Sequence, residues 1–92
     1  MYFVYLIVSK NKKKTISYVG YTNNIEKRLT LHNNSKGAKF TKGKSWKLIY
    51  IERYYNKSNA MKEEYKLKKN YKLRKQIITK YLSDENFNSP SL

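Results

Sequence analysis

Residues 2–20 read YFVYLIVSKNKKKTISYVG, and this stretch decides the fold. Tyr2 to Ser9 is a nearly continuous apolar and aromatic run rich in β-branched residues, which is how a buried strand reads. Lys10-Asn11-Lys12-Lys13-Lys14 is a polar hairpin loop. Thr15 to Gly20 alternates apolar and polar positions and returns as a second, antiparallel strand.

Beyond the hairpin, Asn23 stands as an N-cap with Glu26 three residues on, a capping-box pattern. Behind it Ile25, Leu29 and His32 share one face of a helix that ends near Asn33-Asn34. Ser35 to Ser45 holds Gly37, Gly43 and four lysines and reads as a basic loop. Trp46 to Tyr55 is a third strand. Ser58 caps a second helix running to about Asn70, and Lys72 to Leu82 carries Leu73, Ile77, Ile78 and Tyr81 at helical spacing. From Ser83 onward the tail, with the one proline at 90, is expected to be flexible. The order β-β-α-β-α-α predicts an α+β domain over residues 1–82, a small three-stranded antiparallel sheet flanked by three helices.

Ninety-two residues suit one domain, and a chain this short hides only about 60–65% of its unfolded surface, so the core is thin. The absence of cysteine excludes disulfides, Cys-ligated zinc and iron–sulfur clusters, and a single histidine excludes any multi-histidine metal site. No stretch approaches the roughly 18 apolar residues of a membrane span. Met1 to Val8 has neither a basic segment before it nor a small-residue cleavage site behind it. The expectation is a soluble, cytoplasmic protein. Lys and Arg number 21 against six Asp and Glu, a net charge of +15 that favours a polyanionic partner, nucleic acid first. Eighteen of those cations are lysine, and Lys, Asn, Tyr and Ile all have A/T-rich codons, so base composition supplies part of the charge.

Helical arithmetic picks out the candidate site residues. With Ala60 as origin and 100° per residue, Leu67 and Tyr71 lie about 20° to either side and Glu64 about 40° away. A carboxylate inside an apolar stripe is costly unless it meets a cation, and Lys68 four residues on is the ordinary partner. In the first helix Arg28 and His32 are i,i+4 neighbours beside the Ile25–Leu29 stripe. Such a pair is most often a snorkelling arginine and a satisfied histidine at the core edge. It also has the makings of a phosphate clamp with a proton-handling partner. Tyr5 and Tyr18 fall on the paired strands. Tyr, Arg, His and Glu together are the parts for phosphodiester hydrolysis, with one carboxylate holding a hard cation and arginine neutralising charge on the phosphate. A phenol of ordinary pKa near 10 is a poor base at neutral pH and needs help from its surroundings.

Val4-Tyr5 in the first strand, Tyr18-Val19-Gly20 in the second, Arg28 and His32 in the following helix and Glu64 in the next resemble the GIY-YIG nuclease domain over about residues 2–80. The likeness is greatest to small single-domain bacterial members and to the catalytic subunit of the structure-selective junction endonuclease. The loop from Gly37 to Trp46, and Ala60-Met61-Lys62-Glu63-Glu64-Tyr65 leading into Lys68-Lys69, look like segments those groups share. The first motif, Phe3-Val4-Tyr5, lacks the family's glycine.

The resemblance implies a divalent-metal-dependent DNA endonuclease acting in DNA repair or recombination. Glu64 would be the sole protein ligand of Mg²⁺ or Mn²⁺, and Tyr5 would position or deprotonate the attacking water with Tyr18 beside it. Arg28 would clamp the scissile phosphate, while His32 would assist proton transfer or orient the water. Gly20 would let the backbone pack closely at the site, and Lys39 and Lys42 would contact the DNA backbone. With no cysteine-rich or other accessory module, the domain would find branched or damaged DNA through its own basic surface or a protein partner. The competing reading is a non-catalytic nucleic-acid-binding protein on the same scaffold, indifferent to Glu64. An RNA-directed protein fits the charge but no specific residue.

Overall fold

Tyr2–Lys10 forms β1, the middle strand of the sheet in the computed structural model, which describes residues 1–11 and 14–87. β2 (Thr15–Thr22) and β3 (Lys47–Tyr54) flank it, both antiparallel, in the order β2-β1-β3. A middle strand is covered on both faces, and this accounts for the unbroken apolar run: Val4, Tyr5, Leu6, Ile7 and Val8 are all buried. Val4 and Leu6 point to one face, where they meet Val19, Ala60 and Leu67 with Ile77 and Ile78 alongside. Tyr5 and Ile7 point to the other, against Trp46, Ile25 and Leu29. Leu6 and Ile7 are fully buried, each contributing about 1.5–3 kcal/mol of hydrophobic stabilisation.

The helices are α1 (Ile25–Asn33), α2 (Lys57–Lys69) and α3 (Tyr71–Phe87), so the architecture is the α+β order β-β-α-β-α-α. α1 covers the Tyr5 face, while α2 and α3 cover the Val4 face. Among the described residues no helix is long and apolar enough to cross a membrane.

Several boundaries differ from the sequence expectation. The cap of α1 is Asn24, not Asn23: its side chain accepts from Lys27 N at 3.1 Å, and the Thr22 hydroxyl accepts from Asn24 N. The cap of α2 is Asn56, whose side chain accepts from Asn59 N at 2.8 Å, which leaves Ser58 inside the first turn. Trp46 precedes β3 and Tyr55 follows it. Tyr71 does not extend the apolar stripe of α2, because Asn70 ends that helix and its side chain caps α3 through Leu73 N at 3.0 Å; Tyr71 is left exposed. α3 runs past Leu82 to Phe87, so residues 83–87 are helical where a flexible tail was expected. In the hairpin loop Asn11 and Lys14 close on each other by two hydrogen bonds, while Lys12, Lys13 and residues 88–92 lie outside the described residues.

Candidate active site

Tyr5 and Gly20 face each other across the β1–β2 ladder. The tyrosine ring lies over the glycine, and a Cβ built at Gly20 would overlap the phenolic oxygen and ring carbons. The next position on this face pairs Ile7 with Tyr18, so the two tyrosines stand near one another on one side of the sheet.

α1 then delivers two side chains to that face. Its apolar stripe, Ile25 and Leu29, packs against the Tyr5–Ile7–Trp46 cluster, and this rotation carries His32 inward. His32 is fully buried, and its Nε2 lies 2.7 Å from the Tyr5 hydroxyl. The imidazole is tilted against the Tyr5 ring and sits edge-on to that of Tyr18, with centroids 5.8 and 5.1 Å apart. Arg28, half-buried one turn earlier, lies close enough to Tyr5 for its charge to act on the phenol.

The electrostatics follow from burial. Desolvation pushes the Tyr5 pKa above its ordinary value, Arg28 pulls the other way, and the Tyr18 and Glu64 charges add to the rise. Burial wins, so Tyr5 keeps its proton at neutral pH and the positive field does not make it a phenolate. Burial first and the Arg28 charge second push the His32 pKa below its ordinary value, so the ring is neutral at pH 7.

The basic loop behaves in a way its composition concealed. Thr41 is fully buried, and its hydroxyl lies 2.9 Å from His32 Nδ1. Trp46 Nε1 donates to the Thr41 carbonyl at 2.9 Å, while Asn33 fixes Trp46 by accepting from its backbone N–H at 2.6 Å and donating to its carbonyl at 3.2 Å. Gly37 passes so close to the imidazole that a Cβ there would overlap Nδ1. Lys39 and Lys42, two residues before Thr41 and one after it, are exposed, as is Phe40, whose ring stacks on Tyr18 at 6.1 Å. Sequence reasoning missed Thr41, Gly37, Asn33 and Trp46 as supports of the site. The available signal was a small polar residue and a glycine, each within reach of a helix end that carries the only histidine.

Glu64 arrives from α2, on the opposite face of the sheet, close enough for its charge to act on Tyr5. Its side chain is 16% exposed and pairs with Lys68 Nζ at 3.3 Å. The described residues contain no group of three His, Cys, Asp or Glu able to hold a metal by themselves. One carboxylate is a donor set that suits Mg²⁺ or Mn²⁺ completed by water and substrate phosphate, and does not suit a closed structural site. The fold thus brings Tyr5, Tyr18, Gly20, Arg28 and His32 together on one face, leaves Glu64 on α2 within reach of Tyr5 by its charge alone, and sets Lys39 and Lys42 on the exposed side of the adjoining loop.

The family described as the GIY-YIG catalytic domain matches this chain over residues 1–77. A UPF0213 protein of Clostridium perfringens is 42% identical over 91 residues, covering 95% of this chain and 94% of that protein. One from Oceanobacillus iheyensis is 41% identical over 68 residues, 73% of this chain and 76% of its own. The UPF0213 protein YazA of Bacillus subtilis is 38% identical over 77 residues, 83% and 75% respectively. No solved structure matches the chain.

Proposed function

We propose that this chain, which belongs to the GIY-YIG family, is a divalent-metal-dependent endonuclease that hydrolyses phosphodiester bonds of DNA. The observation that carries the proposal is the 2.7 Å contact between the Tyr5 hydroxyl and a neutral, fully buried His32, with Arg28 beside it. A surface of net charge +15 supports a polyanionic substrate.

Each residue has a distinct task in this reading. Arg28 turns its fork from Tyr5 to the scissile phosphate, binding it by paired hydrogen bonds and opening the Tyr5 hydroxyl to the attacking water. Tyr5 takes a proton from that water as it gives its own to His32 Nε2, so no free phenolate is required and the proton ends on the imidazole. Tyr18 supports water and phosphate from the neighbouring strand. Gly20 leaves the space Tyr5 occupies. Lys39 and Lys42 hold the DNA backbone. Glu64 would hold Mg²⁺ or Mn²⁺ in place of Lys68, and a bound ion supplies polarisation of the phosphate and stabilisation of the leaving oxygen. Repair and recombination in the cytoplasm are the setting we infer, because they present branched or damaged DNA. A protein partner would add substrate specificity to a domain this small.

The test is incubation of the purified chain with linear, flapped and four-way-branched DNA in Mg²⁺, in Mn²⁺ and in EDTA, with Glu64→Ala alongside. Cleavage requiring both metal and Glu64 is expected, with DNA binding by the variant within a few-fold of the parent. Salt-sensitive binding without cutting by any arm, or cutting by Glu64→Ala at the parent rate, would overturn the proposal.

A further inference from the structure

The hydrogen bonds around Thr41 fix more than the position of His32. A threonine hydroxyl has one proton and two lone pairs, and here it has three partners. The Ala38 N–H, 3.1 Å away, can only donate to it. The Ala38 carbonyl, at 2.9 Å, can only accept from it. With the hydroxyl proton on the Ala38 carbonyl, which also accepts from the Thr41 N–H at 3.2 Å, the lone pair left faces His32 Nδ1 at 2.9 Å and calls for a hydrogen there. In a neutral imidazole Nε2 is then a bare acceptor, and it points at the Tyr5 hydroxyl.

The Tyr5 end agrees with this assignment. The nearby Arg28 guanidinium has no acceptor to offer the phenol, and the Tyr5 hydroxyl lies 2.7 Å from Nε2, which can accept its proton. The opposite tautomer would set two donors against the Tyr5 oxygen and leave the Thr41 proton divided between Nδ1 and the Ala38 carbonyl.

We propose that Thr41 is a positioning residue that holds neutral His32 in its Nδ1–H tautomer, keeping Nε2 as the acceptor of the Tyr5 proton. Its own place is secured by Trp46 Nε1 on its carbonyl, and Gly37 leaves the room the imidazole needs. The loop that sets lysines outward therefore also sets the protonation pattern of the buried ring, through a residue outside the motifs. This inference rests on the reading of His32 as the proton acceptor, but the tautomer is observable without any cleavage.

The chain has a single histidine, so a long-range ¹H–¹⁵N spectrum of the labelled full chain, taken above the pH of its titration, shows one imidazole. A protonated Nδ1 and a bare Nε2 are expected. Thr41→Val, which keeps the shape without the hydroxyl, should populate the Nε2–H form and slow DNA cleavage by about 10²-fold, with affinity for DNA within a few-fold. Thr41→Ser should restore the tautomer and most of the rate. A parent spectrum with the proton on Nε2 overturns the proposal even if the valine variant does not fold. So does a folded valine variant that keeps Nδ1–H throughout. An Nδ1–H spectrum from a chain that cuts no DNA would leave the tautomer assignment standing and remove the nuclease reading.

Discussion

Gly20 lies directly opposite Tyr5 on the neighbouring strand, and the phenol occupies the volume that any side chain at Gly20 would need. The requirement is steric and does not depend on backbone conformation. Gly20→Ala should therefore displace the Tyr5 ring from His32, costing about 1–3 kcal/mol of stability as an overpacked core does and most of the cleavage activity. Urea denaturation and a cleavage assay on the same sample check both. Unchanged stability with full activity would show that the ring is not held against the strand.

The acid limb of activity should fall below the ordinary histidine range. His32 must be neutral to accept a proton, and burial together with Arg28 holds its pKa under the usual value of about 6.5. As pH falls from neutrality, kcat/KM should decline at a lower pH than an ordinary histidine would give, since that ratio reports the free enzyme. Stability shares this window. The unfolded chain takes up the proton first, so folding loses stability as pH drops from about 6.5 toward the lower folded value, and gains nothing further above it. An NMR titration midpoint at or above 6.5 for the single histidine would contradict the assignment.

Replacing Lys39 and Lys42 together by alanine should weaken DNA binding alike for all sequences. The logarithmic salt dependence should flatten by about two, one per lost phosphate contact. Fluorescence anisotropy across a salt series measures the slope, and an unaltered slope places the DNA path elsewhere.

Lys68 occupies the Glu64 carboxylate that a metal ion would use. The lysine end of this pair is 54% exposed, and ion pairs open to solvent at one end are worth about 0.2–1 kcal/mol, so Lys68→Gln should lower the Mg²⁺ concentration for half-maximal cleavage by up to about fivefold. A metal titration at saturating DNA is the measurement. A higher requirement in the variant would mean that Lys68 assists the site instead of competing for it.

Much of this arrangement was legible in the residues. The unbroken apolar run predicted the buried strand, and the phase of Ile25, Leu29 and His32 predicted that the histidine faces inward, as it does. Glu64 falls within the apolar stripe of its helix and is mostly buried. The caps were harder, because Asn23-Asn24 and Asn56-Lys57-Ser58 each offer two eligible side chains. Local hydrogen bonds such as that of Thr22 with Asn24 decide between them. Thr41 was out of reach for a different reason. Its burial comes from the loop folding back over Trp46 and the end of α1, and no period in a lysine-rich segment encodes that return. The end of the second helix near Asn70 was legible, but Tyr71 was counted into its stripe because the next helix starts in the following residue, with the same asparagine closing one and opening the other.

The middle strand of the sheet precedes both of its neighbours in the chain, and the carboxylate proposed to hold the metal sits on α2, which follows all three strands. Tyr5 therefore waits, through synthesis, for partners that emerge tens of residues later, and a growing or partly opened chain has the pieces of a nuclease without the assembled tool. On the proposed function that ordering works as a safety catch: the ability to cut DNA would be switched on by completion of the fold and lost again with the opening of α2.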